Sequence, residues 1–266
     1  IIPMKIQSYL GNRLLCLFVS VLLPLQSLIA MDNNVTNNKL PTDTATHTNY
    51  RFHVGQLALP VGLITLGAFG VKNKHFNNIK NSIASEMDHL RKSNYFRADD
   101  YIQYFPIAAY LAMGSIGVKS KHSLKERLIT GTTSYLAMGI LVNVTKHTVG
   151  EMRPRSKARN SFPSGHTATA FMGAELIRQE YGTVPAIGAY TVATGIAFSR
   201  LYNGRHWLND VIAGAGVGIL CARIGYWMLP VYQKCFGWND SNRSVVLLPS
   251  YNAADRNLSL NLHVSF

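Results

Sequence analysis

The chain has 266 residues, 47% of them hydrophobic and 15% charged. So much apolar side chain excludes disorder across the whole chain. Three cysteines, one of them inside an apolar leader, exclude a disulfide scaffold. Lys and Arg outnumber Asp and Glu by 26 to 13, and the net charge of +13 calls for an anionic partner: nucleic acid, anionic lipid or a phosphorylated substrate.

In chain order, Lys5 and Arg13 come first, followed by a run from 14 to 30 that is almost all apolar. A basic segment leading into a hydrophobic one predicts an export signal or an uncleaved anchor over residues 1–30. Ala30 suits a cleavage site and Leu28 does not, so both outcomes stand. Export argues against a nucleic-acid role, as does the lack of a compact basic stripe with interleaved aromatics. Residues 31–52, rich in Asn and Thr and without apolar period, read as a flexible linker.

The apolar run 57–71 is short for a membrane span, which needs about 20 residues. Ile79, Ile83, Met87 and Leu90 recur at helical spacing among Lys80, Glu86, Asp88 and Arg91, the pattern of an amphipathic surface or interfacial helix. Five further helices are expected at about 101–118, 128–146, 165–180, 184–199 and 207–229. Periodicity leaves open whether they form a membrane bundle or a soluble one. Gly214 and Gly218 give the last helix a face of small residues suited to close packing. Lys119, Lys121, Lys125 and Arg127, against Glu126 alone, make the loop between the first two of these helices the cytoplasmic one if the bundle is in a membrane.

In the tail, Leu258, Leu260, Leu262, Val264 and Phe266 alternate with Ser259, Asn261, His263 and Ser265, which is the period of a strand. Residues 245–248 are its natural partner. One hairpin cannot close a barrel, so the expectation is a hairpin packed on the helical body. The fold class expected is all-α, a helical bundle with a short C-terminal β-hairpin. Its divisions are a helical body over 53–235, with a motif core at 100–230, and a tail over 236–266.

Three clusters carry chemistry: Lys146 with Arg153-Pro154, then Pro163-Ser164-Gly165-His166, then Ser199-Arg200 with His206 and Asp210. Lys146, Arg153 and Arg200 are the cations that a phosphate would need, the two guanidiniums as forked donors and the ammonium as a point charge. Ser164, Gly165 and His166 open an apolar helical run, whose first N–H groups lack partners and form an anion site. Ser164 is placed to cap that helix and to donate a hydroxyl, and Gly165 to let backbone approach an oxygen. His206 and Asp210, four apart, share a helix face, where the carboxylate can fix the imidazole tautomer and support its positive charge. Two imidazoles about one phosphate suit in-line displacement: one attacks and the other protonates the leaving oxygen.

The pattern K-x6-RP, PSGH, SR-x5-H-x3-D resembles that of the type 2 phosphatidic acid phosphatase superfamily, which includes acid phosphatases, lipid phosphate phosphatases and vanadium haloperoxidases. The resemblance covers residues 100–230 with every motif position matched. It implies His206 as the nucleophile forming a phosphohistidine, His166 as the acid for the leaving alkoxide, and Asp210 as the residue orienting His206. Lys146, Arg153, Ser164, Gly165 and Arg200 would hold the phosphoryl oxygens. It also implies no cofactor and no metal, and the sequence shows no Cys/His/Asp cluster at metal-ligand spacing. The basic stretch 155–159 and Arg205 are either solvated charges or a trap for an anionic headgroup.

A lipid phosphate handled at a membrane surface, on the periplasmic side, is the substrate class this reading implies. A soluble periplasmic acid phosphatase, a lipid phosphotransferase, a haloperoxidase and a non-catalytic scaffold are its rivals. Were both 14–30 and 57–71 to cross the membrane, the first motif would face the cytoplasm, against the charge of the 119–127 loop. One of the two therefore does not span, and 57–71 is expected to pack on the body or lie in the interface.

Overall fold

The computed structural model describes residues 52–238, 244–252 and 257–265. The expected leader, and the linker as far as residue 51, lie outside these.

Helix α1, Gly55–Lys72, contains Pro60, which has no N–H to donate to the carbonyl of Gln56. That carbonyl accepts instead from Arg223 Nη1. Asn73 begins helix α2, Lys74–Arg91, its side chain accepting from the backbone N–H of His75 and Phe76 at 2.9 and 3.1 Å. The amphipathic pattern read in 79–90 thus forms a helix, and it buries Lys80, Met87 and Arg91.

The single helix expected over 101–118 is instead two short ones, α3 at Asp99–Ile102 and α4 at Phe105–Ala112. Pro106 is the reason: without an N–H it cannot continue a helix, but it can begin one. Helix α5, Leu124–Val149, opens with a capping box between Ser123 and Glu126 and closes on Gly150 at φ 60°. Helices α6, Gly165–Tyr181, and α7, Thr183–Tyr202, meet at Gly182, whose φ of 87° only glycine adopts readily. Helix α8, Leu208–Cys235, runs past the expected end at 229, through Pro230.

Nearly every residue of α6 is buried, so α6 is the axis of the body. The glycines of α8 bring it against two neighbours. A Cβ at Gly214 would meet the carbonyl oxygen of Ser164 at 2.6 Å, and one at Gly216 the carbonyl oxygen of Pro60 at 2.7 Å. The packing face read at Gly214 and Gly218 is therefore the seat of α6.

Helices α1, α5 and α8 are long and apolar enough to cross a membrane. At 18 residues α1 belongs with them, against the expectation that its apolar run is too short. Beyond Trp227 the chain forms a separate compact unit, 228–266. There Ser244–Asn252 runs antiparallel to Asn257–Ser265, with Val245 opposite Val264. The architecture supported is the helical body, and the tail hairpin is not part of that support.

Candidate active site

Ends of four helices carry the predicted residues. Lys146 stands in the last turn of α5 and Arg200 in the last turn of α7. Ser164 precedes α6, Gly165 and His166 begin it, and Asp210 lies in the first turn of α8. Arg153 and His206 come from the connections before α6 and α8. Two contacts pin the starts of α6 and α8 together: Ser164 N–H donates to the Asp210 carbonyl at 2.9 Å, and Ser161 Oγ donates to Asp210 Oδ2 at 2.5 Å.

His206 is 3% exposed and Asp210 fully buried. The imidazole Nδ1 lies 3.4 Å from Asp210 Oδ2, an oxygen that also accepts from the Trp207 N–H at 2.8 Å. Asn209 Nδ2 approaches the other oxygen at 3.3 Å. Burial pushes His206 well below the ordinary imidazole range, and the charges of Arg200, Arg153 and Lys146 act in the same sense. The ring is thus held neutral, the form in which its nitrogen carries a lone pair.

Arg200 donates through Nη1 to Asp99 Oδ2 at 2.8 Å and to Asp100 Oδ1 at 3.2 Å. Its Nε is buried with no partner among the described residues. Arg153 Nε donates to Asn160 Oδ1 at 2.8 Å. Burial, then the charges of Arg200 and Arg205, pull Arg153 below its ordinary value, a sign that cations gather here beyond what local carboxylates neutralise. Such a cluster, with an unused N–H, has the chemistry of a receptor for a multiply charged oxyanion.

Other placements differ from the sequence reading. The Ser164 side chain makes no cap bond to α6; its Oγ accepts from Thr167 Oγ1 at 3.0 Å instead. A Cβ on Gly165 would meet only Val142, at 3.7 Å, so packing does not demand that glycine. Arg155, read as part of a basic trap, is committed to Asp88 on α2, its Nε donating at 2.7 Å. His166 Nε2 lies 2.8 Å from Asp100 Oδ1.

Several residues of the site carried no motif. Glu151 accepts from Lys80 Nζ at 2.7 Å and from Asn209 Nδ2 at 2.9 Å. Burial and the neighbouring charge of Asp210 push it up to about 7, against the pull of Lys80. Lys80 also lies 5.1 Å from the centre of the Trp207 ring, and Trp207 Nε1 donates to the Met152 carbonyl at 2.7 Å. Glu151, Lys80, Asn209 and the half-buried Trp207 thus form a bracket beside Asp210. Asp99 and Asp100 had one visible signal, an acid pair in a chain with 13 acidic residues. Among the described residues no group of three or more His, Cys, Asp and Glu side chains is placed to hold a metal ion.

Among known proteins, the chain is 41% identical over 148 residues to the lipid A 1-phosphatase of Porphyromonas gingivalis, a match covering 54% of this chain and 33% of that protein. It is 28% identical over 166 residues to the bacitracin transport permease protein BcrC of Bacillus licheniformis, covering 56% of this chain and 77% of that protein. Of solved structures, LpxE from Aquifex aeolicus aligns with a TM-score of 0.41 and 22% identity, over 53% of this chain and 93% of that one. A transmembrane phosphatidylglycerolphosphate phosphatase from Bacillus subtilis aligns at 0.45 and 18%, over 67% of this chain and 97% of that one. The model of the PAP2 superfamily matches residues 128–234, a stretch that holds every predicted site residue from Lys146 to Asp210, and the chain spans about a third of the length of the lipid A 1-phosphatase it matches.

Proposed function

We propose that the chain is a phosphatase that removes a phosphomonoester or diphosphate end from a lipid, through a phosphohistidine and without a metal. The observation that carries this reading is the buried imidazole of His206, its Nδ1 3.4 Å from Asp210 Oδ2, among the charges of Lys146, Arg153 and Arg200. In the proposed reaction His206 Nε2 attacks phosphorus as the bond to the leaving oxygen breaks. His166 gives that oxygen its proton. Water then attacks the phosphohistidine, returning a proton to His166 and releasing phosphate with His206 free. Asp210 supports the positive charge on His206, and Lys146, Arg153, Arg200, the Ser164 hydroxyl and the N–H of Gly165 hold the phosphoryl oxygens.

A lipid substrate is favoured by the three apolar helices and by the relative named for lipid A. The site is proposed to face the periplasm. Lys121, in the loop read as cytoplasmic, donates to the carbonyl of Gln179, which lies roughly 20 Å along α6 from His166. Residues 1–30 are proposed as signal or anchor, 31–52 as linker, and 236–266 as a hairpin tail.

The test is phosphate release from phosphatidate, phosphatidylglycerol phosphate, undecaprenyl diphosphate, lipid A and soluble monoesters. Wild type should release phosphate from at least one lipid, vanadate should inhibit competitively, and EDTA should change nothing. A phosphoenzyme trapped by acid quench should vanish in His206→Ala. Turnover that survives in that variant, or that EDTA abolishes and a divalent ion restores, would overturn the mechanism.

A further inference from the structure

His166 has a carboxylate of its own. One oxygen of Asp100, Oδ1, lies 2.8 Å from His166 Nε2 and 3.2 Å from Arg200 Nη1. The placement is firm although α3 has only four residues. Next to it, buried Asp99 takes Arg200 Nη1 at 2.8 Å, Ser199 Oγ at 3.0 Å and Asn203 Nδ2 at 3.2 Å. Asn203 also exchanges two bonds with the backbone of Phe96, which fixes the chain leading into α3. Asp99 is therefore the anchor, and Asp100 is the acid left facing the site, its side chain 57% exposed.

The two imidazole–carboxylate pairs differ in a way that suits different tasks. Asp210 is shared among Ser161, Trp207, Asn209 and His206, and three cations act on its imidazole, which favours the neutral ring. Asp100 presents an ionised oxygen directly to a ring nitrogen, which favours the ring that holds a proton. Both rings are drawn below their ordinary value, His206 well below it and His166 against the opposing pull of Asp100 and Asp99, so His166 is the one better placed to keep a proton.

We infer that Asp100 is the positioning residue of His166: its carboxylate, on Nε2, orients the imidazole and favours the ring protonated on both nitrogens, the form that can give the leaving oxygen a proton from the other nitrogen. This rests on the phosphatase reading above. The charged and titratable groups acting on His166 are Asp99 and Asp100 from α3, Arg200 from α7 and His206 ahead of α8. Burial and then Arg200 draw His166 below its ordinary value, while Asp100 and Asp99 work against them. Removing the Asp100 charge should therefore lower it further.

The experiment compares wild type with Asp100→Asn on two esters. Dodecyl phosphate has an alkoxide leaving group that must be protonated; p-nitrophenyl phosphate has a phenolate that leaves without help. With dodecyl phosphate, kcat should fall about 100-fold with KM not raised, and the alkaline limb of the profile should move to lower pH. With p-nitrophenyl phosphate the loss should stay within a few-fold. In a His166→Ala background, Asp100→Asn should add no further loss. Equal losses on both esters would make Asp100 merely structural, and no loss on either would make it a spectator. An intact kcat with tighter vanadate inhibition would make it a plug of the empty site. Each of these overturns the inference. A wild-type chain that hydrolyses neither these esters nor the lipid panel overturns the phosphatase reading instead.

Discussion

Around Glu175, in the middle of α6, a fully buried carboxylate accepts from Arg178 Nε and Nη2 at 2.7 and 2.8 Å, Arg223 Nε at 2.8 Å, Tyr190 Oη at 2.6 Å and Gln179 Nε2 at 3.1 Å. Cations and acceptor close on one another there. At the end of the bundle near His206, Arg200 keeps a buried Nε without a partner among the described residues, and Arg153 and Lys146 add charge that Asp210 alone does not offset. Both clusters take charges out of water, at a cost that neighbours must offset. The first offsets it within the protein and is structure. The second leaves it to be offset by something that arrives, as the proposed phosphate site requires.

The largest effect expected is His206→Ala, which should lower turnover about 10,000-fold or more while leaving the thermal midpoint in detergent nearly unchanged. Glu175→Gln is its mirror. It strands the two guanidiniums and should cost about 3–5 kcal/mol of stability, read as a lower midpoint, with normal kcat in the fraction that remains folded. If that variant lost catalysis at full stability, the distinction between the clusters would collapse. Arg200→Lys keeps the charge but not the fork, and should cost about 100-fold in kcat/KM. The smallest effect is a displacement along the pH axis. Because His206 is held below its ordinary 6.5, its acid limb should lie below that pH in wild type. Arg153→Gln removes one cation, makes the imidazolium easier to form, and should move the limb upward. A limb that stays in place would show that the Arg153 charge does not reach the imidazole.

How much of this could be read from the residues follows the same division. The motif residues were legible because phosphate chemistry restricts them to a few types at fixed spacing. The longer helices were legible because their apolar runs are bounded by Gly150, Gly182 and a capping box at Ser123. The α3–α4 break was missed because the apolar period runs straight through Pro106, whose effect depends on whether it starts a helix or interrupts one. Asp99, Asp100 and Glu151 were missed for another reason: they act across about 50 to 100 positions of chain, on Arg200, His166 and Asn209, and no spacing rule spans such separations. Ser161 lies within the motif region but meets Asp210 only once α6 and α8 are side by side.

The bracket beside Asp210 has a consequence for genetics. Lys80, Glu151, Ser161, Trp207 and Asn209 come from widely separated stretches of chain, yet all bear on Asp210 or on the residues beside it. A screen for loss of activity would not map to the three motifs alone. Hits would also fall in α2, where Lys80 sits on a helix with none of the motif residues, and a compensating change for such a hit should be sought at position 151, some seventy residues away.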